Sequence, residues 1–160
     1  MPIAVLILIP GIVLWLTGGF PRDPYYVFSI YSEAGLSVII VGSIILILCI
    51  MDFSEIGKGT LAPWSPTKKL VIAGMYRYVR NPMTWGVLLV IVGESIYFLS
   101  PHLLLWFLLF FVGNHIYLIK SEESDFVARF GDEYLEYMQN VPRWIPCRTP
   151  WTRRSSSNET

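Results

Sequence analysis

The chain has 160 residues, a length that predicts one domain. Hydrophobic residues make up 54% of it and charged residues only 15%, which leaves too little polar surface to cover a small soluble protein. Twelve Lys and Arg balance twelve Asp and Glu, so the chain lacks the basic excess typical of nucleic-acid-binding proteins. The composition indicates a membrane protein.

Four apolar stretches predict membrane-spanning helices, because a helix rising about 1.5 Å per residue needs roughly 20 apolar residues to cross a hydrocarbon core about 30 Å thick. They lie near residues 3–20, 34–51, 83–100 and 102–119. Pro10 and Gly11 would kink the first stretch. A signal peptide is the alternative for that stretch, but it lacks a basic start and an A-x-A-like cleavage site, so we expect a span.

The positions of Lys and Arg predict the orientation of these spans. Arg22 lies between the first two spans, and the other eleven Lys and Arg follow the second span. They lie in the loop of residues 52–81 and in the C-terminal tail, so the positive-inside rule places both in the cytoplasm. Four spans then place both termini in the cytoplasm.

The cytoplasmic parts show different local patterns. The Gly and Pro residues of the 52–81 loop predict an irregular, ordered lid. Aromatic and apolar side chains at a spacing of four predict that the fourth helix extends into the tail, with a bend or end at Gly131. These side chains are Phe126, Phe130, Tyr134 and Met138. Two prolines within residues 144–151, Pro146 and Pro150, exclude regular helix there. We expect a single all-α domain over residues 1–154 and disorder over residues 155–160.

Glu94 is an ionisable residue inside the third predicted span. It shares a helical face with Gly86, Val90, Gly93 and Tyr97, and small residues on such a face allow close helix contact. Two interpretations stay open: a buried glutamate that joins two helices, or a functional group of the kind that intramembrane carboxylates often are.

His115 lies near the cytoplasmic end of the fourth span, seven residues before Glu122, so the two would be nearly aligned on a continuous helix. A hydrogen-bonded packing role for His115 is the alternative to a chemical one. With no second His nearby, we expect no metal site. Cys49 and Cys147 show no ligand spacing and are predicted to be free thiols.

The densest polar pattern is residues 74–86, where two arginines, two tyrosines and an Asn-Pro pair precede the third span. A short hairpin between the last two spans would bring this segment close to Glu122 and Glu123. The combination predicts a polar pocket at the membrane surface. The alternative is an interfacial anchor of Tyr, Trp and Arg at headgroup depth.

The strings GMYRYVRNPMTWG, VGE and SEESDFVARFGDEYLEYMQNVPRWIP resemble the small integral-membrane methyltransferases that include isoprenylcysteine carboxyl methyltransferase and the phospholipid N-methyltransferases. The resemblance covers roughly residues 57–146. It implies an all-helical fold, S-adenosylmethionine as methyl donor, and a donor pocket built from the last two spans and the tail.

The resemblance also carries over residue by residue. The family's R-[HN]-P-x-Y-x-G block is matched by Arg80, Asn81, Pro82 and Gly86. Its paired glutamates are matched by Glu122 and Glu123, and its FG-x-x-Y-x-x-Y stretch by Gly131, Tyr134 and Tyr137. Two positions differ. Asn81 stands where the isoprenylcysteine enzymes usually have His, and Thr84 where the family usually has Tyr, so the acceptor stays open.

Each part of the donor needs its own partner. An arginine can fork onto the carboxylate, a glutamate can accept from the ribose hydroxyls or the ammonium, and aromatic rings can stack on adenine or flank the sulfonium. We expect Arg80 and Glu122 to be the catalytic pair, unless they simply pair with each other. The expected donor contacts are Tyr76, Tyr78, Arg80, Asn81, Pro82, Gly86, His115, Glu122, Glu123, Tyr134 and Arg143.

The predicted function is therefore S-adenosylmethionine-dependent methyl transfer to a lipid-linked or hydrophobic acceptor at the cytoplasmic membrane face, similar to that of isoprenylcysteine carboxyl methyltransferase. The alternatives are phospholipid amine N-methylation and a non-catalytic membrane interaction protein on the same scaffold. We expect lipid or lipid-linked substrates and the membrane as partners, and neither nucleic acid nor metal. The sequence leaves the acceptor and the oligomeric state open.

Overall fold

The computed structural model describes residues 4–19, 30–57 and 69–152, and every regular element within them is helical. The α-helices are α1 (Ile9–Thr17), α2 (Ile30–Gly57), α3 (Pro82–Tyr97), α4 (Pro101–Tyr117), α5 (Glu123–Phe130) and α6 (Asp132–Asn140). Shorter turns are the π-helical Ala4–Leu8 and Leu118–Glu122 and the 3₁₀ turn Gly74–Arg77. The all-helical prediction is confirmed for these residues.

Two helices of the described ranges are long and apolar enough to cross a membrane. They are α2, with 28 residues, and the continuous helix Pro101–Phe130, with 30 residues. The other apolar helices, Val5–Thr17 and Pro82–Tyr97, are shorter. At 1.5 Å per residue α3 extends about 24 Å, which is less than a typical hydrocarbon core. The structure thus identifies two candidate spans, and four spans remain a prediction.

The first helix is irregular where the sequence predicts a kink. A π-helical turn ends at Leu8, and Pro10 occupies the first turn of α1. The helix stops at Gly18, which adopts φ 62° and donates its N–H to the carbonyl of Leu14. Pro10 has no N–H to donate within a helix, so the break in regular geometry falls next to it.

Helices α2 and α3 pack closely through glycines. A Cβ on Gly42 would lie 2.9 Å from the carbonyl oxygen of Gly86, and a Cβ on Gly35 would lie 2.8 Å from that of Gly93. Close backbone contact of this kind is how helices associate in lipid, where apolar burial gives little driving force. The contact confirms that Gly86 and Gly93 lie on a helix-packing face of α3.

Glu94 lies in the last turn of α3, at the opposite end of that helix from Arg80, rather than in the middle of a span. Its Oε2 atom is buried and has no hydrogen-bond partner among the described residues. The glycine contacts, and not a hydrogen bond from this oxygen, therefore join α2 to α3.

Helices α3 and α4 form the predicted hairpin. α3 ends at Tyr97, Leu99 adopts φ 45°, and α4 begins at Pro101. The Ser100 N–H donates to the carbonyl of Ser95 across the turn at 3.1 Å. The hairpin places the start of α3 and the end of α4 at the same end of the molecule.

The loop prediction needs one correction. α2 continues through Gly57, so residues 52–57 are helical rather than irregular. This stretch contains no proline, and Phe53 packs against the buried cluster of Cys49, Val71 and Tyr76. Residues 58–68, which carry most of the loop's turn-favouring residues, lie outside the described ranges.

The predicted extension of α4 into the tail is confirmed. α5 ends before Gly131, whose φ of 54° lies in the left-handed region, and α6 begins directly after it. The predicted apolar stripe packs around the buried Tyr134, Tyr137 and Val141. Residues 141–152 contain no regular helix, as the prolines predict. Arg153 and the residues after it lie outside the described ranges.

Candidate active site

Residues 141–152, called the strap below, fold back onto residues 77–80, called the arginine segment. Three backbone hydrogen bonds fasten the strap to this segment: Arg80 N to Pro142 O at 3.0 Å, Cys147 N to Tyr78 O at 2.9 Å, and Trp151 N to Arg77 O at 3.0 Å. The Arg77 side chain adds a bond from Nε to the carbonyl of Trp151 at 3.0 Å. The strap thus lies against the segment that precedes the N-terminus of α3.

Glu123 joins the arginine segment, α5 and the strap. Arg80 Nη1 donates to its Oε1 at 3.0 Å, while Arg143 donates from Nε to Oε1 at 2.8 Å and from Nη2 to Oε2 at 2.7 Å. The Glu123 and Arg80 side chains are each 10% exposed and that of Arg143 is 23% exposed. The bonds to Glu123 raise the pKa of Arg143. The carboxylate therefore balances two largely buried cations.

Arg80 keeps one donor free of protein partners. Its Nε atom is buried and has no hydrogen-bond partner among the described residues. The neighbouring Tyr134 has its pKa raised to about 12, chiefly by burial and by the Glu123 carboxylate, while Arg80 acts in the opposite direction. A buried N–H without a partner is costly, and a bound polar group can remove that cost.

Glu122 is placed differently from its neighbour. It is half-buried, and in the described part of the chain it takes part in no ion pair, since Arg80 pairs with Glu123 instead. The expected alternative, an Arg80–Glu122 pair, is therefore wrong. The π-helical turn Leu118–Glu122 precedes α5 and shifts the helical register at this point. Such turns are frequent at functional sites.

Two tyrosines connect α6 to the 3₁₀ turn Gly74–Arg77, which leads into the arginine segment. The Tyr137 hydroxyl donates to the carbonyl of Tyr76 at 2.6 Å, and both side chains are buried. Burial raises the pKa of each. In contrast, Tyr78 is 38% exposed and contributes its backbone carbonyl to the strap.

His115 has a packing role through Trp144. The indole Nε1 of Trp144 donates to His115 Nδ1 at 3.0 Å, and the Trp144 carbonyl accepts from Trp85 Nε1 at 2.8 Å. The rings of Phe111 and Trp144 lie 5.1 Å apart between centroids. A π-helical turn separates His115 from Glu122, so the seven-residue alignment expected on a regular helix does not hold.

Other predicted residues shape the start of α3. Asn81 precedes the helix without a side-chain capping bond, and Pro82 is fully buried in its first turn. Asn114 Nδ2 donates to Thr84 Oγ1 at 3.4 Å, linking α4 to α3. Gly86 contacts α2 rather than the arginine segment, so its role is helix packing.

The sequence reasoning missed two parts of this region. Trp85 and Trp144 form a hydrogen-bonded link between α3 and the strap, and the thiol of Cys147 lies 3.1 Å from the Tyr78 carbonyl. A tryptophan followed by prolines in an otherwise polar tail was a signal of an ordered, packed segment. An open cleft of about 550 Å³ is lined by strap residues and by Glu136 and Asn140 of α6, and none of the predicted site residues lines it.

Comparison with known proteins identifies relatives of the chain. It is 28% identical over 131 residues to the protein-S-isoprenylcysteine O-methyltransferase of Schizosaccharomyces pombe, covering 76% of this chain and 52% of that protein. It is 32% identical over 75 residues to methanethiol S-methyltransferase 2 of Bradyrhizobium diazoefficiens, covering 45% of this chain and 27% of that protein. The chain thus spans about half the length or less of these relatives, and no solved structure matches it.

The sequence model of one family, described as phospholipid methyltransferase, matches residues 34–133. That match runs from α2 to the start of α6 and includes the arginine segment and both glutamates. Because it covers more than half of the sequence, the chain belongs to the phospholipid methyltransferase family.

Proposed function

We propose that the protein is a membrane methyltransferase that transfers the methyl group of S-adenosylmethionine to a lipid-linked or hydrophobic acceptor. The domain that performs this covers residues 1–154. One observation carries the proposal: the buried Arg80 Nε has no hydrogen-bond partner among the described residues, and it lies in a family-matched region that also holds Glu122, which takes part in no ion pair among them.

The donor fits the charges of this region. Arg80 and Arg143 supply cations for a carboxylate, and Glu122 supplies an acceptor for an ammonium or for ribose hydroxyls. Tyr134 supplies a buried aromatic face. When bound, S-adenosylmethionine supplies an electrophilic methyl group on a sulfonium. Glu123 already holds both arginines, so its role is to orient them toward the donor.

Methyl transfer of this kind depends on alignment of donor and acceptor and on exclusion of water, more than on a nucleophilic side chain of the protein. The strap is hydrogen-bonded along the arginine segment, and Tyr134, Tyr137 and Val141 form a buried apolar cluster next to it. Together they hold the arginines in place and exclude water from their surroundings. If the acceptor is an amine, Glu122 can receive its proton.

The proposed topology has four membrane spans, with the strap and both termini in the cytoplasm. α2 and the continuous helix Pro101–Phe130 have the required length, and α1 and α3 would cross with the help of flanking residues. The contact between Arg80 and Glu123 supports it, because it brings the start of α3 and the region after α4 to one end of the molecule. A site there can receive the water-soluble donor from the aqueous side and the lipidic acceptor from the membrane.

The acceptor distinguishes three forms of the proposal. The first relative's name favours a prenylated cysteine carboxylate, the family name an amine of a phospholipid, and the second relative's name a thiol. Purified protein is to be incubated with labelled donor and, separately, a prenylcysteine, phosphatidylethanolamine and methanethiol. We expect methylation of the prenylcysteine. Methylation of either other acceptor alone would replace that assignment.

Donor binding tests the proposal more directly. Arg80→Lys keeps the charge but removes the bidentate guanidinium, and Glu122→Gln removes a carboxylate that takes part in no ion pair among the described residues. We expect each to weaken donor binding by about 1 to 3 kcal/mol in detergent without loss of folding.

Arg148→Lys and Asp132→Asn are the matched controls, since both residues are exposed. If both site variants fold and bind like the parent, the donor site lies elsewhere. Absence of donor binding by the parent at millimolar concentration would favour the non-catalytic interaction protein.

A further inference from the structure

Trp144 is a strap residue that contacts two different helices, α3 and α4. Its side chain bonds to α4 through His115, and its main chain bonds to α3 through Trp85. The ring of Phe111 packs against it as well. The residue lies beyond residues 34–133, so the family match does not include it.

The hydrogen bond at His115 has a defined direction. An indole nitrogen can only donate, so Nδ1 of His115 must be the acceptor and carries no proton. This makes the bond dependent on an acceptor at one particular position in α4.

The neighbouring residue links this bond to the proposed donor site. Arg143 precedes Trp144 directly, and its guanidinium forks onto Glu123 at 2.8 and 2.7 Å. Arg143 is the more exposed of the two arginines on that carboxylate. A long side chain loses entropy when it is held in one geometry, so the Arg143 backbone must be fixed for its paired bonds to Glu123 to persist.

We propose that Trp144 is a positioning residue: its bonds to His115 and Trp85 hold the strap closed and thereby keep Arg143 directed at the donor site. This inference rests on the proposed function for its effect on catalysis. The closed strap itself does not depend on that function.

Hydrogen exchange measures strap closure without any donor. The amides of Cys147 and Trp151 donate to the arginine segment, so their exchange reports its opening. Trp144→Phe keeps an aromatic ring but removes the N–H, and we expect exchange at both amides to become about fivefold faster in the full chain. Trp85→Phe removes the second bond and is expected to have the same effect.

His115 supplies a test by conservative replacement. His115→Asn keeps a side-chain acceptor near the position of Nδ1, and we expect it to retain slow strap exchange. His115→Phe keeps the ring packing without the acceptor and is expected to match Trp144→Phe. If Asn and Phe at this position give the same exchange, the hydrogen bond does not hold the strap.

Kinetics then separate positioning from general destabilisation. We expect Trp144→Phe to raise the KM for the donor about fivefold with little change in kcat and in the KM for the acceptor. Trp15→Phe is the control, because Trp15 is 75% exposed on α1.

These experiments test the closed strap, its link to Arg143 and the proposed function separately. Unchanged strap exchange in Trp144→Phe overturns the proposal whatever the activity. Faster exchange with an unchanged donor KM overturns the link to Arg143. A parent protein without methyl transfer contradicts the proposed function, and the exchange data alone then decide whether Trp144 holds the strap.

Discussion

The charge on Glu123 is expected to be worth more to stability than that on Glu122, although the two residues are adjacent. Glu123 is 8% exposed and accepts three hydrogen bonds from two arginines. Glu122 takes part in no ion pair in the parts of the chain that the structure covers. Replacing each glutamate by Gln changes the same atoms in the same helix, so the two variants form a matched pair.

The magnitude follows from what Gln retains. Its carbonyl oxygen can still accept from Arg80 Nη1 and Arg143 Nε, but its amide group would face Arg143 Nη2, so that a donor meets a donor. Two largely buried cations also lose their counter-charge. Removing one partner of a buried ion pair costs about 3 to 5 kcal/mol, and the retained contacts put Glu123→Gln near about 3 kcal/mol. For Glu122→Gln we expect no loss of stability, because burial and the neighbouring Glu123 and Asp125 carboxylates raise the pKa of Glu122 and so disfavour its charge in the folded chain.

The assay is equilibrium unfolding of the full chain without donor, in mixed micelles with increasing denaturing detergent, followed by circular dichroism. We expect a large shift for Glu123→Gln and almost none for Glu122→Gln. Equal shifts for the two variants would refute the assignment of the arginines to Glu123. A larger shift for Glu122→Gln would mean that the partners are reversed.

Three further predictions concern packing, pH and topology. Gly86→Leu should destabilise the fold by at least about 1 to 3 kcal/mol, since a Cβ there would lie 2.9 Å from the α2 backbone. Gly113→Leu should not, because no atom of the described residues lies within 4 Å of a Cβ at that position, and equal melting temperatures for the two variants would contradict this. Stability should fall as pH rises from about 10 toward 12, because the unfolded chain loses the Tyr134 proton before the folded chain does, and Tyr134→Phe should make that fall smaller. Single cysteines near Asp23 and Lys68 in a cysteine-free background should be labelled from opposite sides of a sealed membrane, and labelling from one side would overturn the four-span topology.

Local patterns in the sequence predicted much of the fold. Pro101 begins a helix after a tight hairpin, Gly131 bends the chain, and the prolines of residues 144–151 prevent regular helix. These outcomes depend on the backbone freedom of one or two residues, which the residue type itself sets. The small residues Gly86 and Gly93 likewise indicated a packing face, because only glycine allows so close a backbone approach.

Only the tertiary structure decided which charged groups meet. Arg80 and its partner Glu123 are 43 residues apart, and the choice between two adjacent glutamates depends on the helical register after α4. A π-helical turn changes that register, and no local residue pattern announced it. The bond between Trp144 and His115 also joins segments distant in sequence. Such contacts are fixed by how whole helices pack, since the path of the chain determines which side chains come within reach, and neighbouring residue types do not.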